Sequence, residues 1–188
     1  MGIGGCLSAG FLYLSPASEV FAANKAMMLH DQRYADSAQY NDKYEGFKNM
    51  PFAPQIRIPA AYMRGGTSKG VFFKLSDLPE AAQQAGPVRD RLLLRVIGSP
   101  DPYGKQIDGM GGATSSTSKT VILAQSQQPD HDVDYLFGQV SIDSAFVDWS
   151  GNCGNLTAAV GAFAIANGLV NPEKVPENGI CTVRIWQA

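Results

Sequence analysis

The chain has 188 residues, of which 45% are hydrophobic and 17% are charged, and its formal net charge at pH 7 is -2. Such a chain can bury the core of one globular domain, and its nearly neutral charge gives no indication of a nucleic-acid or membrane-surface partner. Its three cysteines and two histidines lack the close spacing of zinc ligands or of a disulfide framework. We therefore expect no metal site and a reducing, cytoplasmic environment.

Residues 1–50 differ in composition from the rest of the chain. The apolar residues 2–14 are fewer than the ~20 that span a bilayer, and they lack the basic start of a secretory signal. Residues 24–49 are polar and show no sustained periodicity. We expect a poorly ordered extension without a recognised fold, and an over-long gene start before Met50 is favoured over a targeting peptide. The folded domain is then expected at residues 51–188.

The predicted elements of residues 51–188 are mostly strands. Short runs of apolar and β-branched residues, separated by turn residues, indicate five of them. They lie at residues 55–63, 71–75, 120–124, 135–142 and 181–186. Two segments rich in glycine, serine and threonine are expected to be loops, residues 64–70 and residues 99–118.

Two helices are predicted between the second and third strands. Asp77 followed by Glu80 resembles a capping box for a short helix that ends near Gln84. Pro87 begins a longer helix over residues 88–97, whose leucine, valine and isoleucine residues form a core-facing stripe.

A third predicted helix has Cys153 in its first turn and ends at Asn167-Gly168, a typical C-terminal cap. The run at residues 157–170 contains no charge and is apolar on every face of the helix. A helix of that kind must be surrounded by other elements. A curved sheet wrapped round this helix would accommodate both it and the strands, which predicts an α+β fold.

Cys153 is the first candidate catalytic residue. It stands between two Gly-Asn pairs, residues 151–152 and 154–155, which favour turns and helix N-caps. Unpaired backbone N–H groups at a helix start favour a reactive thiolate and attract carboxylates. The alternative is a small buried hydrophobe, the commoner role of a free cysteine, and that role suits Cys181 in its predicted strand.

The two glycine-rich loops leave two interpretations open. Neither matches the phosphate-binding loop, because Ser68 and Ser118 stand where that motif needs glycine directly before its lysine. Either both loops are solvated turns, or they form an anion-binding surface. In the second case their hydroxyls and backbone N–H groups act together with the cations Arg64, Lys69 and Lys119.

Three segments resemble the PrpF family: residues 63–73, 98–120 and 148–157. Within the last of them, residues 152–155 also resemble the catalytic-cysteine motif of diaminopimelate epimerases. The PrpF family comprises 2-methylaconitate isomerases of the methylcitrate route for propionate breakdown, often called aconitase-accessory proteins. The resemblance runs from about residue 55 to the C-terminus.

This resemblance implies a diaminopimelate-epimerase-like fold of two similar halves, each a β-barrel-like sheet wrapped round a central helix, with the substrate between them. The chain stops at Ala188, where the family's chains continue, so we expect only the N-terminal half and hence a fragment. The implied activity is isomerisation of a small tricarboxylate without a metal or organic cofactor. A homodimer and an aconitase-like dehydratase are the protein partners that the resemblance suggests.

The same resemblance implies roles for individual residues. Lys119 and Cys153 match the family's two catalytic positions, and either can be the base in a cis–trans or double-bond isomerisation. The surrounding loops match the family's tricarboxylate-binding surface. The residues of that surface are Arg64, Ser68, Lys69, Ser115, Ser116, Asn152, Gly154 and Asn155.

Two other functions remain open at this level. A cysteine-dependent epimerase would need a second thiol facing Cys153, and this chain offers only Cys6 or Cys181. A non-catalytic accessory protein would bind an iron–sulfur dehydratase, and the absence of cluster ligands from the sequence argues against a direct metal role but not against binding.

Overall fold

The computed structural model describes residues 56–188 and, before them, only the backbone of strand β1 (Phe11–Leu14). The expectations for residues 1–50, that strand apart, therefore lie outside the described residues. The chain divides into two compact units, and the larger one includes Ile58–Pro176 and Ile180–Ala188. In the described part, none of the helices has the length and apolarity that crossing a membrane requires.

A mixed sheet of six strands is the centre of this larger unit. Its strands are β2 (Ala61–Gly65), β3 (Ser68–Lys74), β4 (Lys119–Gln125), β5 (Val133–Val140), β6 (Val147–Asp148) and β8 (Ile185–Gln187). The order is β2-β3-β4-β5-β6, with β8 also beside β5. The β3–β4 and β5–β8 pairs are parallel and the others antiparallel. The remaining strand, β7 (Gly179–Thr182), forms a separate two-stranded sheet with β1.

The described helices are α1 (Glu80–Gln83), α2 (Pro87–Ile97) and α3 (Gly154–Ala166), with short 3-10 turns at Leu75–Asp77 and Pro172–Lys174. The prediction for α2 is confirmed at both ends. Proline stands at its first turn, and Gly98 follows its last residue with a left-handed φ of 85°. Proline suits a helix start and glycine the left-handed position after a helix end.

The predicted capping box before α1 is wrong. Asp77 ends the 3-10 turn and forms an ion pair with Lys74 at 3.4 Å. Pro79, at the N-cap of α1, makes no side-chain hydrogen bond. A residue before proline is kept out of the helical region, so Leu78 is extended and the helix begins only at Glu80.

Each helical layer covers one face of the sheet. On one face, Val71, Phe73 and Ile122 share a buried cluster with the α2 residues Leu93 and Ile97. Because side chains alternate along a strand, Gly70 and Phe72 point to the other face, where α3 lies. The Phe72 and Phe163 rings are 5.7 Å apart there. The sheet thus carries α2 on one side and α3 on the other.

The predicted α+β class is confirmed, but the sheet of this chain covers one side of α3 rather than all of it. Leu156, Val160 and Phe163 are buried. Ala158 and Ala166 on the same helix are exposed. The described strands therefore cover only part of the apolar surface of α3.

Candidate active site

Cys153 lies immediately before α3, at the N-cap rather than in the first turn that we predicted. Its backbone is extended, with φ −128° and ψ 91°, and its side chain makes no cap hydrogen bond. The residue is only 8% exposed, and its Sγ donates to Ser68 Oγ at 3.7 Å. The thiol therefore lies beside the partially positive N–H groups that begin a helix.

The peptide carbonyl of Cys153 is held from two sides. The Tyr135 hydroxyl and the Thr157 hydroxyl each donate to this oxygen at 3.1 Å. Burial raises the pKa of Tyr135 well above its usual value, and the neighbouring Cys153 acts in the same direction. Tyr135 is therefore a neutral phenol at ordinary pH and a permanent donor, which fixes the peptide that carries the thiol.

The segment predicted as a glycine-rich loop at residues 64–70 is a tight hairpin. Only Gly66 and Thr67 lie between β2 and β3. A Cβ on Gly65 or on Gly66 would overlap atoms of Asn155, and Gly66 has a left-handed φ of 52°. Asn155 also donates from Nδ2 to Thr67 Oγ1 at 3.2 Å. The glycines are needed for close packing against the start of α3, which positions Cys153.

Lys119 is the other candidate catalytic residue, at the start of β4. It is 8% exposed, and its Nζ donates to Gln139 Oε1 at 2.6 Å. The same nitrogen lies 4.9 Å from the centroid of the Phe137 ring, a cation–π contact. Within residues 56–188, no carboxylate lies at ion-pair distance from Lys119, since the ion pairs there are Lys74–Asp77 and Lys174–Asp132.

One face of β5 supports both candidate catalytic residues. Tyr135, Phe137 and Gln139 are spaced two apart and so point to the same side of the sheet. The first contacts Cys153, and the other two contact Lys119. Sequence reasoning missed these residues. The alternation in β5 marks them as one face, but only the pairing with β4 shows what that face touches.

The loop at residues 99–118 is organised by Gln106, another residue that the sequence did not indicate. Its side chain is 1% exposed. Its Nε2 donates to Ser99 Oγ and Ser118 Oγ, both at 2.8 Å, and its Oε1 accepts from Ala113 N at 2.8 Å. Ser118 in turn donates to Val140 O at 2.7 Å. The loop is therefore tied to β5 directly beside Lys119.

The predicted substrate-binding residues fall into two groups, of which the first surrounds Cys153 and Lys119. Ser68 is buried against the thiol. Asn152, Gly154 and Asn155 are exposed around the start of α3.

Ser115 and Ser116 belong to the same group, at the other end of the site. Ser115 is exposed and Ser116 is partly buried. The Ser115 carbonyl accepts from Gln139 Nε2 at 3.2 Å. The structure therefore links this loop to Lys119 through Gln139.

Arg64 and Lys69 form the second group, opposite each other in the β2–β3 register. Both are exposed, and alternation along the strand puts their side chains on the face opposite to Ser68. Arg64 Nε donates to Gly66 O at 2.9 Å, while the backbone N–H of Lys69 donates to Ser116 O at 2.9 Å. Their contact with substrate carboxylates stays a prediction.

Cys181, which we expected in the core, is 1% exposed. Its Sγ donates to Lys174 O at 3.5 Å, and burial raises the pKa of its thiol. Such a thiol is a poor partner for proton transfer, which counts against Cys181 as the second thiol of a pair with Cys153. Cys6 lies outside the described residues. Across residues 56–188, no cluster of three or more His, Cys, Asp or Glu is arranged to hold a metal ion.

The family model described as PrpF protein matches residues 55–188. The chain belongs to the PrpF family. Among its PrpF relatives, the 2-methyl-aconitate isomerase of Shewanella oneidensis is 78% identical over 140 residues, or 74% of this chain and 35% of the relative. The protein of the same name from Cupriavidus necator is 76% identical over 139 residues, with the same two shares.

A crystal structure of methylitaconate-delta-isomerase is also similar to this PrpF chain, with a TM-score of 0.61 and 47% identity. The similarity covers 72% of this chain and 33% of that one. The chain therefore spans about a third of the length of the relatives that it matches.

Proposed function

We propose that this chain contributes Lys119 and Cys153 to an isomerase that converts 2-methylaconitate by proton transfer, in propionate breakdown through the methylcitrate cycle. The observation that carries the proposal is the β5 face, which holds both candidate proton-transfer groups over one side of the sheet. The names and high identity of the Shewanella oneidensis and Cupriavidus necator relatives support the choice of substrate.

The chemistry requires a base, an acid and a way to spread negative charge. A proton next to the carboxylate-bearing double bond of 2-methylaconitate is weakly acidic, and its removal gives a dienolate. Return of a proton to another carbon shifts the double bond, whereas return to the same carbon after rotation gives the cis–trans product. No electrons are gained or lost overall, so the proposal needs no oxidant or reductant.

Lys119 and Cys153 suit this proton transfer for different reasons. The lysine amine is buried and faces a neutral amide and an aromatic ring, and no carboxylate of residues 56–188 forms an ion pair with it. The thiol belongs to the N-cap residue of α3, beside the backbone N–H groups that begin the helix. Either group can remove the proton while the other returns it.

The carboxylates of the substrate are proposed to bind around these two groups. Gly154 and Asn155 begin α3 and are exposed residues, and backbone N–H groups at a helix start suit anion binding. Hydroxyls of Ser115 and Ser116 supply further donors. The substrate carboxylates can contact Arg64 and Lys69 only if the substrate, or another part of the protein, extends past the β2–β3 hairpin.

The fold proposed for the whole protein is the diaminopimelate-epimerase-like one, in which α3 is the centre of a barrel-like half. The exposed side of α3 at Ala158 and Ala166 then packs on parts of the protein beyond this chain. The relatives are about three times as long as the segment they share with it. We place the enzyme in the cytoplasm and propose a homodimer.

Solvent isotope exchange tests the proposed function. The 188-residue chain and the Shewanella oneidensis relative are incubated with 2-methylaconitate in deuterated water, and label in the recovered acid is measured by mass spectrometry. We expect label with the wild-type proteins and at least ~100-fold less with Lys119→Ala or Cys153→Ala, the usual contribution of general acid–base catalysis.

Lys105→Ala and Cys181→Ala are the matched controls, because Lys105 is exposed and Cys181 is buried away from the proposed chemistry. Both are expected to retain exchange. Exchange that survives Lys119→Ala and Cys153→Ala alike would overturn the assignment. It would favour instead the accessory function, binding to an aconitase-like iron–sulfur dehydratase.

A further inference from the structure

We propose that Gln139 is the positioning residue for Lys119: a neutral clamp that holds the amine over the Phe137 ring. The proposal deepens the proposed function and rests on it, because it takes Lys119 as a proton-transfer group.

The clamp is built into the strand pairing. Lys119 and Gln139 are direct partners in the antiparallel β4–β5 register, so their side chains leave the sheet on the same face. Lys119 Nζ lies 2.6 Å from Gln139 Oε1. The position of the amine is therefore set by two strands of the central sheet rather than by a loop.

The amide of Gln139 can adopt only one orientation. Its Nε2 donates to the backbone oxygen of Ser118 at 2.8 Å and to that of Ser115 at 3.2 Å. A flipped amide would set its oxygen against two carbonyl oxygens and its NH₂ group against the lysine amine. The loop carbonyls thus hold the oxygen toward Lys119, and Gln139 joins the lysine to the loop of Ser115 and Ser116.

The surroundings of this pair contain few other charges. In the parallel β3–β4 pair, Gly70 lies beside Lys119, and its absent side chain leaves room for Lys119 and Leu156. The start of α3 carries no charged side chain in its first turn. Among the described residues, the ionisable groups on this face are Tyr135 on β5, Cys153 before α3 and Asp148 on β6. Burial raises the pKa of Tyr135, so it is a neutral phenol.

Asp148 and Cys153 both make contacts with residues other than Lys119. Asp148 is the cross-strand partner of Gln139 in the β5–β6 register. Its Oδ1 accepts from the hydroxyl and the backbone N–H of Ser150, and these bonds lower the pKa of Asp148. The Cys153 thiol contacts Ser68. The amide of Gln139 therefore separates Lys119 from the carboxylate of Asp148 along one cross-strand row.

A neutral acceptor suits a group that must both lose and gain a proton. An amide oxygen accepts a hydrogen bond from an ammonium ion or from a neutral amine. A carboxylate in the same place would stabilise the ammonium ion, which cannot act as a base. Gln139→Glu gives the acceptor a negative charge at nearly constant size. Gln139→Met keeps the length of the side chain but removes its hydrogen bonds to Lys119 and to the loop carbonyls.

The first test measures the protonation of Lys119 directly in the 188-residue chain. Competitive acetylation with acetic anhydride over a pH series, followed by peptide mass spectrometry, gives the pH at which half of the Lys119 amine reacts. In Gln139→Glu we expect this midpoint to rise by about one pH unit or more, the effect of an opposite charge in contact.

Gln125→Glu is the matched control, with the same substitution at the exposed far end of β4, roughly 20 Å along the strand from Lys119. It should leave the Lys119 midpoint unchanged. Equal midpoints in Gln139→Glu, Gln125→Glu and wild type would overturn the proposal.

The second test measures turnover at the aligned positions of the full-length Shewanella oneidensis relative. Gln139→Met should lower kcat by about 10- to 100-fold at every pH, with a much smaller change in KM, because the base is misplaced. Gln139→Glu should lose most activity at low pH and regain it as the pH rises, since the lysine there deprotonates only at higher pH.

The two variants separate positioning from a merely structural role. If Gln139→Glu lost activity by the same factor as Gln139→Met at every pH, Gln139 would only support the fold. That result would contradict the proposal. The Lys119→Ala variant separates this result from the proposed function. Exchange retained in Lys119→Ala refutes the proposed function itself, whereas exchange lost in Lys119→Ala but normal in both Gln139 variants refutes only the clamp.

Discussion

Cys153 is held through its backbone, whereas Lys119 is held through its side chain. Cys153 is fixed at its carbonyl by Tyr135 and Thr157, and its thiol makes only a weak contact with Ser68. Lys119 is fixed at its amine by Gln139. The thiol can therefore turn toward a substrate, whereas the amine has a set position. This difference favours neither group as the base, but it assigns the more precise placement to Lys119.

Single residues were predictable from the sequence only where their neighbours along the chain carried the signal. The Gly-Asn pairs around Cys153 indicate a helix start, and the structure places Cys153 within one residue of that prediction. Gln139 and Gln106 have no such local pattern. Their roles come from contacts with residues 7 to 24 positions away in the chain, and one sequence does not specify those pairings.

Asp132 is a buried ion-pair residue outside the site, and it makes the stability of the chain depend on pH. Its carboxylate is 5% exposed and accepts from Lys174 Nζ at 2.6 Å and from Arg184 N at 2.8 Å. Burial alone would raise the pKa of Asp132, but these two donors outweigh it and the pKa is lowered. The folded chain thus favours the ionised form of the Asp132 carboxylate.

Removal of this charge should change the acid response of the chain. A depressed pKa in the folded state adds stability above the unfolded value of ~3.9, and this stability is lost as the pH falls below it. Asp132→Asn should lower the free energy of unfolding by about 1–2 kcal/mol at pH 7, because Lys174 is half exposed and partly screened.

At pH 3 the Asp132→Asn variant should differ less from wild type than at pH 7. Urea unfolding at both pH values measures this difference. Asp108→Asn, at an exposed position, should stay within about 0.5 kcal/mol of wild type at both. A pH-independent difference between wild type and Asp132→Asn would contradict the linkage.

At the scale of elements, the strands and helices were predictable where periodicity was strong. The predictions for α2, β4 and β5 agree with the structure to within two residues at each end. The predicted last strand is instead two strands, β7 and β8. The break lies at Arg184, whose N–H donates to Asp132 and whose carbonyl accepts from Asp132 N and Val133 N. Only a tertiary contact could show that break.

The β2–β3 hairpin contains glycines that the sequence analysis placed in a loop. Gly65 and Gly70 instead lie inside strands. They are small because Asn155, Leu156 and Lys119 approach their backbone closely. This packing controls where α3 begins, so the hairpin positions Cys153 from a distance in the chain.

A methyl group on Gly65 should therefore disturb the site as well as the fold. The new Cβ would overlap the Asn155 carbonyl and lie 2.8 Å from Leu156 Cα, so backbone atoms must shift. We expect Gly65→Ala to lower the free energy of unfolding by about 1–3 kcal/mol. The rate at which iodoacetamide alkylates Cys153 should also change, because the start of α3 moves.

Gly161→Ala is the matched substitution in α3. A Cβ there has Val183 at 3.7 Å as its nearest neighbour, an ordinary contact, and alanine favours a helix interior over glycine by roughly 0.5–1 kcal/mol. It should stabilise the chain and leave alkylation of Cys153 unchanged. Equal stability of the two variants in urea unfolding would refute the packing argument for Gly65.

At the scale of the whole molecule, α3 is more apolar than its surroundings in this chain require. The sheet buries Leu156 and Phe163, but Ala158 and Ala166 remain exposed. The sequence predicts that such a helix needs neighbours on all sides, and for the side of Ala158 and Ala166 this stays a prediction. It could not show where they come from. We propose that these neighbours belong to the two-thirds of each relative that this chain does not match.

The 188-residue chain should accordingly be a much weaker catalyst than a full-length relative. If the substrate lies between α3 and a part of the protein beyond this chain, the chain alone holds Lys119 and Cys153 in place but leaves the substrate free to move. Loss of such orientation costs ~100-fold or more in rate. We expect kcat/KM for 2-methylaconitate to fall by at least that factor relative to the Shewanella oneidensis isomerase, measured side by side under one set of conditions. Iodoacetamide should still alkylate Cys153 in the chain alone, because Ser68, Tyr135 and Thr157 hold it there. Equal turnover of the two proteins would mean that the described unit contains a complete site, and the exposed side of α3 would then need another explanation.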